Sequence, residues 1–228
     1  MIECVRVPEF VVVPAGAFRM GCETGLPDEQ PVRHVTLASF LAGKYPVTNE
    51  QYDAFVRDAG LVESCFRSEP RFADPCQPAV GVSWHDATSY CAWLSRTTGL
   101  QVRLPAEAER EYAAAGGLTG DWPWPGPAHP AQREIDAMTA PHVARAACAN
   151  GYGLFCMAEN VHEWCSDWYA KDAYALEATG GPVSGTRKVA RGGSWRHRDK
   201  TTRITARASL PPDFRYSDFG FRVYADLP

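Results

Sequence analysis

Apolar residues recur at helical spacing in only three stretches of this chain. In "TNEQYDAFVRDAG", Thr48 and Gln51 stand at the spacing of a capping box, and Gly60 closes the run. "SWHDATSYCAWLSRTTG" offers Ser83 as an N-cap, after which Ala87, Tyr90, Cys91 and Leu94 share one face. "PAEAEREYAAAGG" puts Pro105 in a first turn and Glu107 and Glu109 near the positive end of the helix dipole; Gly116-Gly117 stops it. Elsewhere the apolar runs are short. "EFVVVPAGAFRMG" and "RHVTLASFLAGKYPV" read as early strands; "KVARGGSW", "RITARASL" and "FGFRVYA" read as late ones. From 118 to 150 the chain is rich in Pro and Ala without a period, which reads as an irregular excursion or a short additional helix. No repeat and no linker-like shift in composition interrupts the pattern. The expectation is one domain over 1–228, of α+β class, with few helices, short antiparallel strands and little regular structure.

The chain has 228 residues, ample for a core. Its net charge of -4 gives no bulk attraction to nucleic acid or anionic membranes. The longest apolar run, "FVVVPAGAF", is too short to span a bilayer and contains Pro14. "MIECVRVPEF" has neither the basic start nor the long apolar stretch of a signal peptide. A cytoplasmic protein with no nucleic-acid and no membrane partner is therefore expected. The eight cysteines show no CxxC or CxH spacing, so no structural zinc site is expected, and buried free thiols fit that address.

The densest chemistry lies in "VARGGSWRHRDKTTR". Gly192 and Gly193 let the backbone approach another segment closely. Ser194, His197 and Asp199 follow, but triads are assembled across a fold rather than along one loop, and no G-x-S-x-G elbow is present.

Eight segments taken in order carry a resemblance: "FVVVPAGAFRMG", "DEQPVRHVTLASF", "KYPVTNEQYDAFV", "PAVGVSWHDATSYCAWL", "VRLPAEAEREYAAAGG", "NGYGLFCMAENVHEWCSDWY", "VARGGSW" and "DFGFRV". Together they resemble the formylglycine-generating enzyme, or sulfatase-modifying factor, family from about residue 9 to 225. The resemblance implies a compact domain with a C-type-lectin-like core. It implies one of several activities: copper- and oxygen-dependent conversion of a sulfatase cysteine to formylglycine, sulfur-transfer oxygenation in thiohistidine biosynthesis, or ligand binding without catalysis in variable proteins. It calls for no nucleotide or flavin.

Departures from the family pattern sort these activities. In the copper enzyme two cysteines follow the "RGGS" serine and bind Cu(I) as soft thiolates. By resemblance those positions are His197 and Thr202 here, so formylglycine synthesis by the copper mechanism is not expected. A tryptophan that the family places beside the cleft is His162 here. His162 and His197 are thus the candidate ligands of a transition metal, Fe or Cu, and with Ser194 the candidate catalytic residues. A third ligand is needed, and spacing does not rank the choices. The alternative is a pair of ordinary hydrogen-bonding histidines.

Trp195, Arg196, Arg198 and Arg207 are the candidate contacts for an anionic small molecule or peptide. Alternatively, Arg196 and Arg198 are solvated. The resemblance makes several of Arg191, Arg203, Arg207, Arg215 and Arg222 internal salt-bridge residues, and Arg103, Glu107 and Glu111 a buried pairing group.

The resemblance also implies a Ca²⁺ site from the Cys156 side chain, the Glu159 and Val161 carbonyls and the Glu163 carboxylate. A thiol is a poor ligand for this hard ion. Cys65 and Cys76 are candidates for a disulfide or a place near the cleft. Cys91 is expected as a free core thiol, because its family partner position is Val223. His85 is expected at the surface and His34 in a structural role. Two readings stand: a metal-dependent, oxygen-using oxidoreductase, or a non-catalytic binding module presenting Trp195, Phe214 and Tyr216. A catalytically silent sulfatase-modifying relative is a variant of the second.

Overall fold

Helix α1 (Asn49–Ala59) begins where its sequence requires. Gln51 N–H donates to Thr48 Oγ1 at 3.4 Å, and Thr48 N–H donates to Gln51 Oε1 at 3.0 Å. Gly60 ends the helix in the left-handed region, φ 63°. Helix α2 (Trp84–Thr98) repeats the device with Ser83 and Asp86. Helix α3 (Glu107–Ala115) differs from the expectation: Pro105 stays outside, and Ala106 is the N-cap. Ala106 has no side-chain oxygen, so two carboxylates serve that end: Glu109 accepts from Ala106 N–H at 2.8 Å and Asp167 from Glu107 N–H at 2.7 Å.

These helices belong to a computed structural model that describes residues 7–61, 63–126, 137–143, 149–176, 182–197 and 202–227. Ten short strands accompany them among the described residues: β1 (Phe10–Val13), β2 (Gly16–Met20), β3 (Arg33–Leu37), β4 (Phe40–Gly43), β5 (Val102–Arg103), β6 (His162–Trp168), β7 (Lys188–Arg191), β8 (Arg207–Leu210), β9 (Phe219–Gly220) and β10 (Tyr224–Asp226). One sheet has the order β1-β4-β10-β5, another β8-β7-β6-β9, and β2-β3 is a separate hairpin. All pairings are antiparallel except β6 with β9. The α+β expectation holds.

Three local readings are corrected. "RITARASL" is strand only from Arg207, because Arg203 and Ile204 turn inward to side-chain and core contacts. "FGFRVYA" is broken between β9 and β10, which join different sheets. Strand β6 has the burial pattern of a central strand at its start, and Trp164 and Cys165 there are fully buried on opposite faces. With both faces covered, no polar alternation marked it as a strand. The described parts of 118–150 form no helix.

The main core packs α1 and α2 on the second sheet through Tyr52, Phe55, Tyr90, Trp164, Phe219 and Phe221. Each fully buried side chain of this size contributes roughly 1.5–3 kcal/mol. Charged groups fill the remainder. Glu163 is paired with Arg110 (2.8 Å) and Arg222 (2.9 Å), all three essentially buried. Arg191 joins Glu107 and Glu111, Arg207 joins Glu107, and Arg203 joins Glu29. Glu107 and Glu111 are therefore buried pairing residues as expected. Arg103 pairs instead with Glu109 and Asp226.

Candidate functional site

Gly192 leaves β7 with φ 78°, and Gly193 then runs against the loop before β6. Gly193 N–H donates to Ala158 O, and Trp195 N–H to Asn160 O, both at 2.9 Å. A Cβ at 193 would press on the Ala158 carbonyl oxygen and lie 2.5 Å from Thr202 Cγ2. Gly193→Ala is expected to cost about 1–3 kcal/mol, as overpacked sites do, readable as a lowered urea midpoint.

This contact carries His197 to His162. His197 N–H donates to Ser194 O at 3.0 Å, turning the loop back. His162 opens β6, and its N–H donates to Asp218 O at 2.9 Å. The two histidines that sequence singled out therefore meet: His162 Nε2 is 3.2 Å from His197 Nδ1. Ser194 Oγ lies 3.0 Å from His197 Nδ1 and donates to Asp218 Oδ2 at 3.1 Å. His197 Nδ1 lies 3.6 Å from Asp218 Oδ2. His162, His197 and Asp218 offer three ligand atoms all within 4.8 Å of one another.

Asp218 is the residue that sequence reasoning missed. It lies in "DFGFRV", a segment used above only for the resemblance. Parallel pairing of β9 with β6 brings it to His162, a contact that no linear spacing encodes.

The electrostatics favour an open lone pair on His162. Its Nδ1 lies 2.6 Å from Gly192 O, so Nδ1 carries the proton and donates, and Nε2 faces His197. Burial lowers its pKa from 6.5 to about 4, with His197 adding to the effect and Asp218 opposing it. The unfolded chain thus takes up this proton first. As pH falls from about 6.5 toward 4, stability is expected to drop by up to about 1.4 kcal/mol per pH unit from this group. Urea unfolding at several pH values checks this, and the slope should be shallower in His162→Gln.

The other expected site residues separate. Trp195 is half-buried on Phe72, with ring centroids 6.2 Å apart, and its indole donates to Ser217 O. Arg196 is exposed, with Nη1 3.9 Å from Asp218 Oδ1. Arg198 lies outside the described residues. Arg207 is corrected: its guanidinium is sealed from solvent against Glu107, the Asp28 and Ala170 carbonyls and the rings of Tyr169 and Tyr174. No charge remains there for a substrate.

The calcium set is corrected too. Burial alone would raise the Glu163 pKa, but Arg110 and Arg222 outweigh it and hold the carboxylate ionised. A third cation beside two buried guanidiniums would be repelled. The Glu159 carboxylate, which that set did not use, turns toward His142. Cys65 is a free thiol and Cys76 is disulfide-bonded, so these two are not joined to each other. Cys91 is a buried free thiol as expected. His85 is exposed at the start of α2, and His34 is exposed within β3. No helix among the described residues is long and apolar enough to cross a membrane.

Residues 2–227 match the Sulfatase-modifying factor enzyme 1-like domain. The chain belongs to this family. It is 32% identical to a formylglycine-generating enzyme of Thermomonospora curvata, covering 95% of this chain and 93% of that one. It is 33% identical to a serine/threonine-protein kinase pkn1 of Chlamydia caviae, where it spans only 37% of the relative's length. A mouse relative, 28% identical over 94% of this chain and 85% of that one, is named an inactive Cα-formylglycine-generating enzyme 2. Among solved structures, PvdO from Pseudomonas aeruginosa superposes with a TM-score of 0.86 at 30% identity, covering 98% and 96% of the two chains. Treponema denticola variable protein 1 superposes at 0.82 with 25% identity, covering 96% and 95%. The C-type-lectin-like fold expected from the resemblance is thereby established. The family's copper does not fit this cluster: two imidazoles and a carboxylate stand there, with no thiolate for Cu(I).

Proposed function

We propose that this chain is a metal-dependent, oxygen-using oxidoreductase whose metal is held by His162, His197 and Asp218. The observation that supports this reading is the convergence of those three donors. Ligands about 2.0–2.2 Å from one ion stand about 3.0–3.6 Å apart. The separations of 3.2 and 3.6 Å at His197 fall in that range. Two histidines and one carboxylate with open positions suit non-heme Fe(II) better than Cu(I). The iron would supply the redox centre at which oxygen and a small molecule or peptide meet.

The chain's own groups have defined tasks. The Gly192 carbonyl fixes the His162 tautomer, and the buried Ser194 hydroxyl steadies Asp218. His197, with a side chain 49% exposed, forms the open side. Arg196 stands at that side, where it would attract an anionic group.

Metal analysis of protein purified anaerobically with Fe(II) tests the reading. About one iron per chain is expected, lost in His162→Ala and His197→Ala. Iron content in both variants unchanged from that of the unaltered chain would sink it.

The second reading, a binding module, is favoured by Phe214 and Tyr216, exposed side by side with centroids 6.2 Å apart. Such loop aromatics suit recognition, and the likeness to a variable protein supports it. Oxygen consumption by the iron-loaded protein counts against it. The disulfide at Cys76 pulls against a cytoplasmic address, since such bonds persist in oxidising compartments.

A further inference from the structure

A second cluster lies on the other side of Asn160. His142, Cys156 and Glu159 offer three donor atoms all within 4.8 Å of one another. His142 Nε2 is 3.9 Å from Cys156 Sγ and 3.9 Å from Glu159 Oε1. The nitrogen–oxygen distance is too long for a hydrogen bond. Glu159 Oε1 in fact has no hydrogen-bond partner, although the residue is only 3% exposed. An unsatisfied buried carboxylate oxygen costs about 1–3 kcal/mol or more. The gap is sized for something that binds all three groups.

The surroundings prepare these groups for an ion. Nδ1 of His142 lies 3.0 Å from Val143 O, which assigns the ring proton there and turns the Nε2 lone pair toward Cys156 and Glu159. The fully buried Asn160 amide clamps the His142 backbone from both sides, accepting from its N–H at 3.0 Å and donating to its carbonyl at 3.2 Å. Cys156 sits at φ 57°, the one non-glycine residue with positive φ among those described. That conformation costs about 1–2 kcal/mol and aims the thiol inward.

The donor set decides the class of ion. One sulfur, one imidazole nitrogen and one carboxylate oxygen suit borderline-soft Zn²⁺ and not Ca²⁺. Tetrahedral zinc ligands of these types stand about 3.4–3.6 Å apart, so each of the two 3.9 Å separations at His142 needs to close by only about half an ångström or less. A thiolate and a carboxylate would neutralise the divalent ion, which a buried site near Arg222 requires. We propose that His142, Cys156 and Glu159 form a zinc-type metal site, separate from the histidine pair, with a fourth position left for water or another ligand. It ties segment 137–143 to the loop that carries Asn160 and leads into β6.

Cobalt(II) is the probe, because bound to a thiolate it absorbs in the near ultraviolet by charge transfer. The histidine pair holds no thiolate, and because Cys22 and Cys65 are also free thiols, the part of the band lost in Cys156→Ser is what reports on the second site. The full chain is produced with Co(II) in the growth medium and then titrated with Zn²⁺. Expected are a thiolate–Co(II) band, its displacement by Zn²⁺, its loss in Cys156→Ser, and its retention in His162→Ala. His142→Ala, at a half-buried position, keeps the test open should Cys156→Ser fail to fold; it should weaken Co(II) binding about tenfold or more. No thiolate band in the unaltered chain would overturn the proposal and leave a polar cluster bridged by water. A band that is undiminished in Cys156→Ser, or is unweakened in His142→Ala, would overturn it equally.

Discussion

Glu163→Ala is expected to lower the unfolding free energy by about 3–5 kcal/mol, a large share of the stability of a domain this size. Two opposing terms decide this. Burying a carboxylate and two guanidiniums is costly, and their mutual attraction roughly repays it. The residue itself is fully buried, accepts from Arg110 at 2.8 Å, and accepts from Arg222 at 2.9 and 3.1 Å. Removing it leaves two buried cations facing each other with nothing between them. Their other bonds, from Arg110 to Met157 O and from Arg222 to Gly43 O and Phe155 O, hold them in place, so they cannot turn out to water. The contrast is Glu9→Ala, which removes an exposed pair with Lys44 and should cost under about 1 kcal/mol. Urea unfolding of both variants checks the comparison. A loss for Glu163→Ala no larger than for Glu9→Ala would mean that water reaches the cluster.

Asp218→Ala is expected to abolish iron retention and oxygen-dependent activity while leaving the fold in place. The Asp218 side chain accepts one hydrogen bond, from Ser194 Oγ, so its removal costs only on the order of 1 kcal/mol in stability. Its backbone carbonyl, which fixes His162, survives the substitution. The two histidines therefore stay aligned but lose the carboxylate that, on the proposed reading, selects iron. Removing even a residue that only orients a ligand costs about 10–100-fold in metal affinity, and a ligand should cost at least as much. Metal content and near-ultraviolet circular dichroism on the same sample separate the two effects. Full iron content with an intact fold would remove Asp218 from the site.

Helices α1 and α2 were legible because each carries its own start and stop; the start of α3, where Asp167 meets the Glu107 N–H, was not. Thr48 with Gln51, and Ser83 with Asp86, satisfy orphan backbone donors within four residues, so no tertiary partner is needed to specify them. The same holds for the loop at Gly192-Gly193, where only glycine tolerates the turn and the close approach to Ala158. Strand β6 was not legible, because both its faces are covered and its pattern lacks alternation. Arg207 was misread as a substrate contact because an arginine looks the same in a sequence whether it meets solvent or Glu107; only packing decides.

By itself the sequence determined the helices, the α+β class, the family, and the pairing of His162 with His197 as the residues that depart from it. The tertiary structure alone decided that Asp218 completes that pair, that Glu163 belongs to two arginines rather than to calcium, and that His142 meets Cys156 and Glu159. The physical reason is range. Capping and turn signals act over a few residues and are written in order, whereas ligand sets and buried charge pairs join groups up to 174 residues apart through sheet register and loop packing.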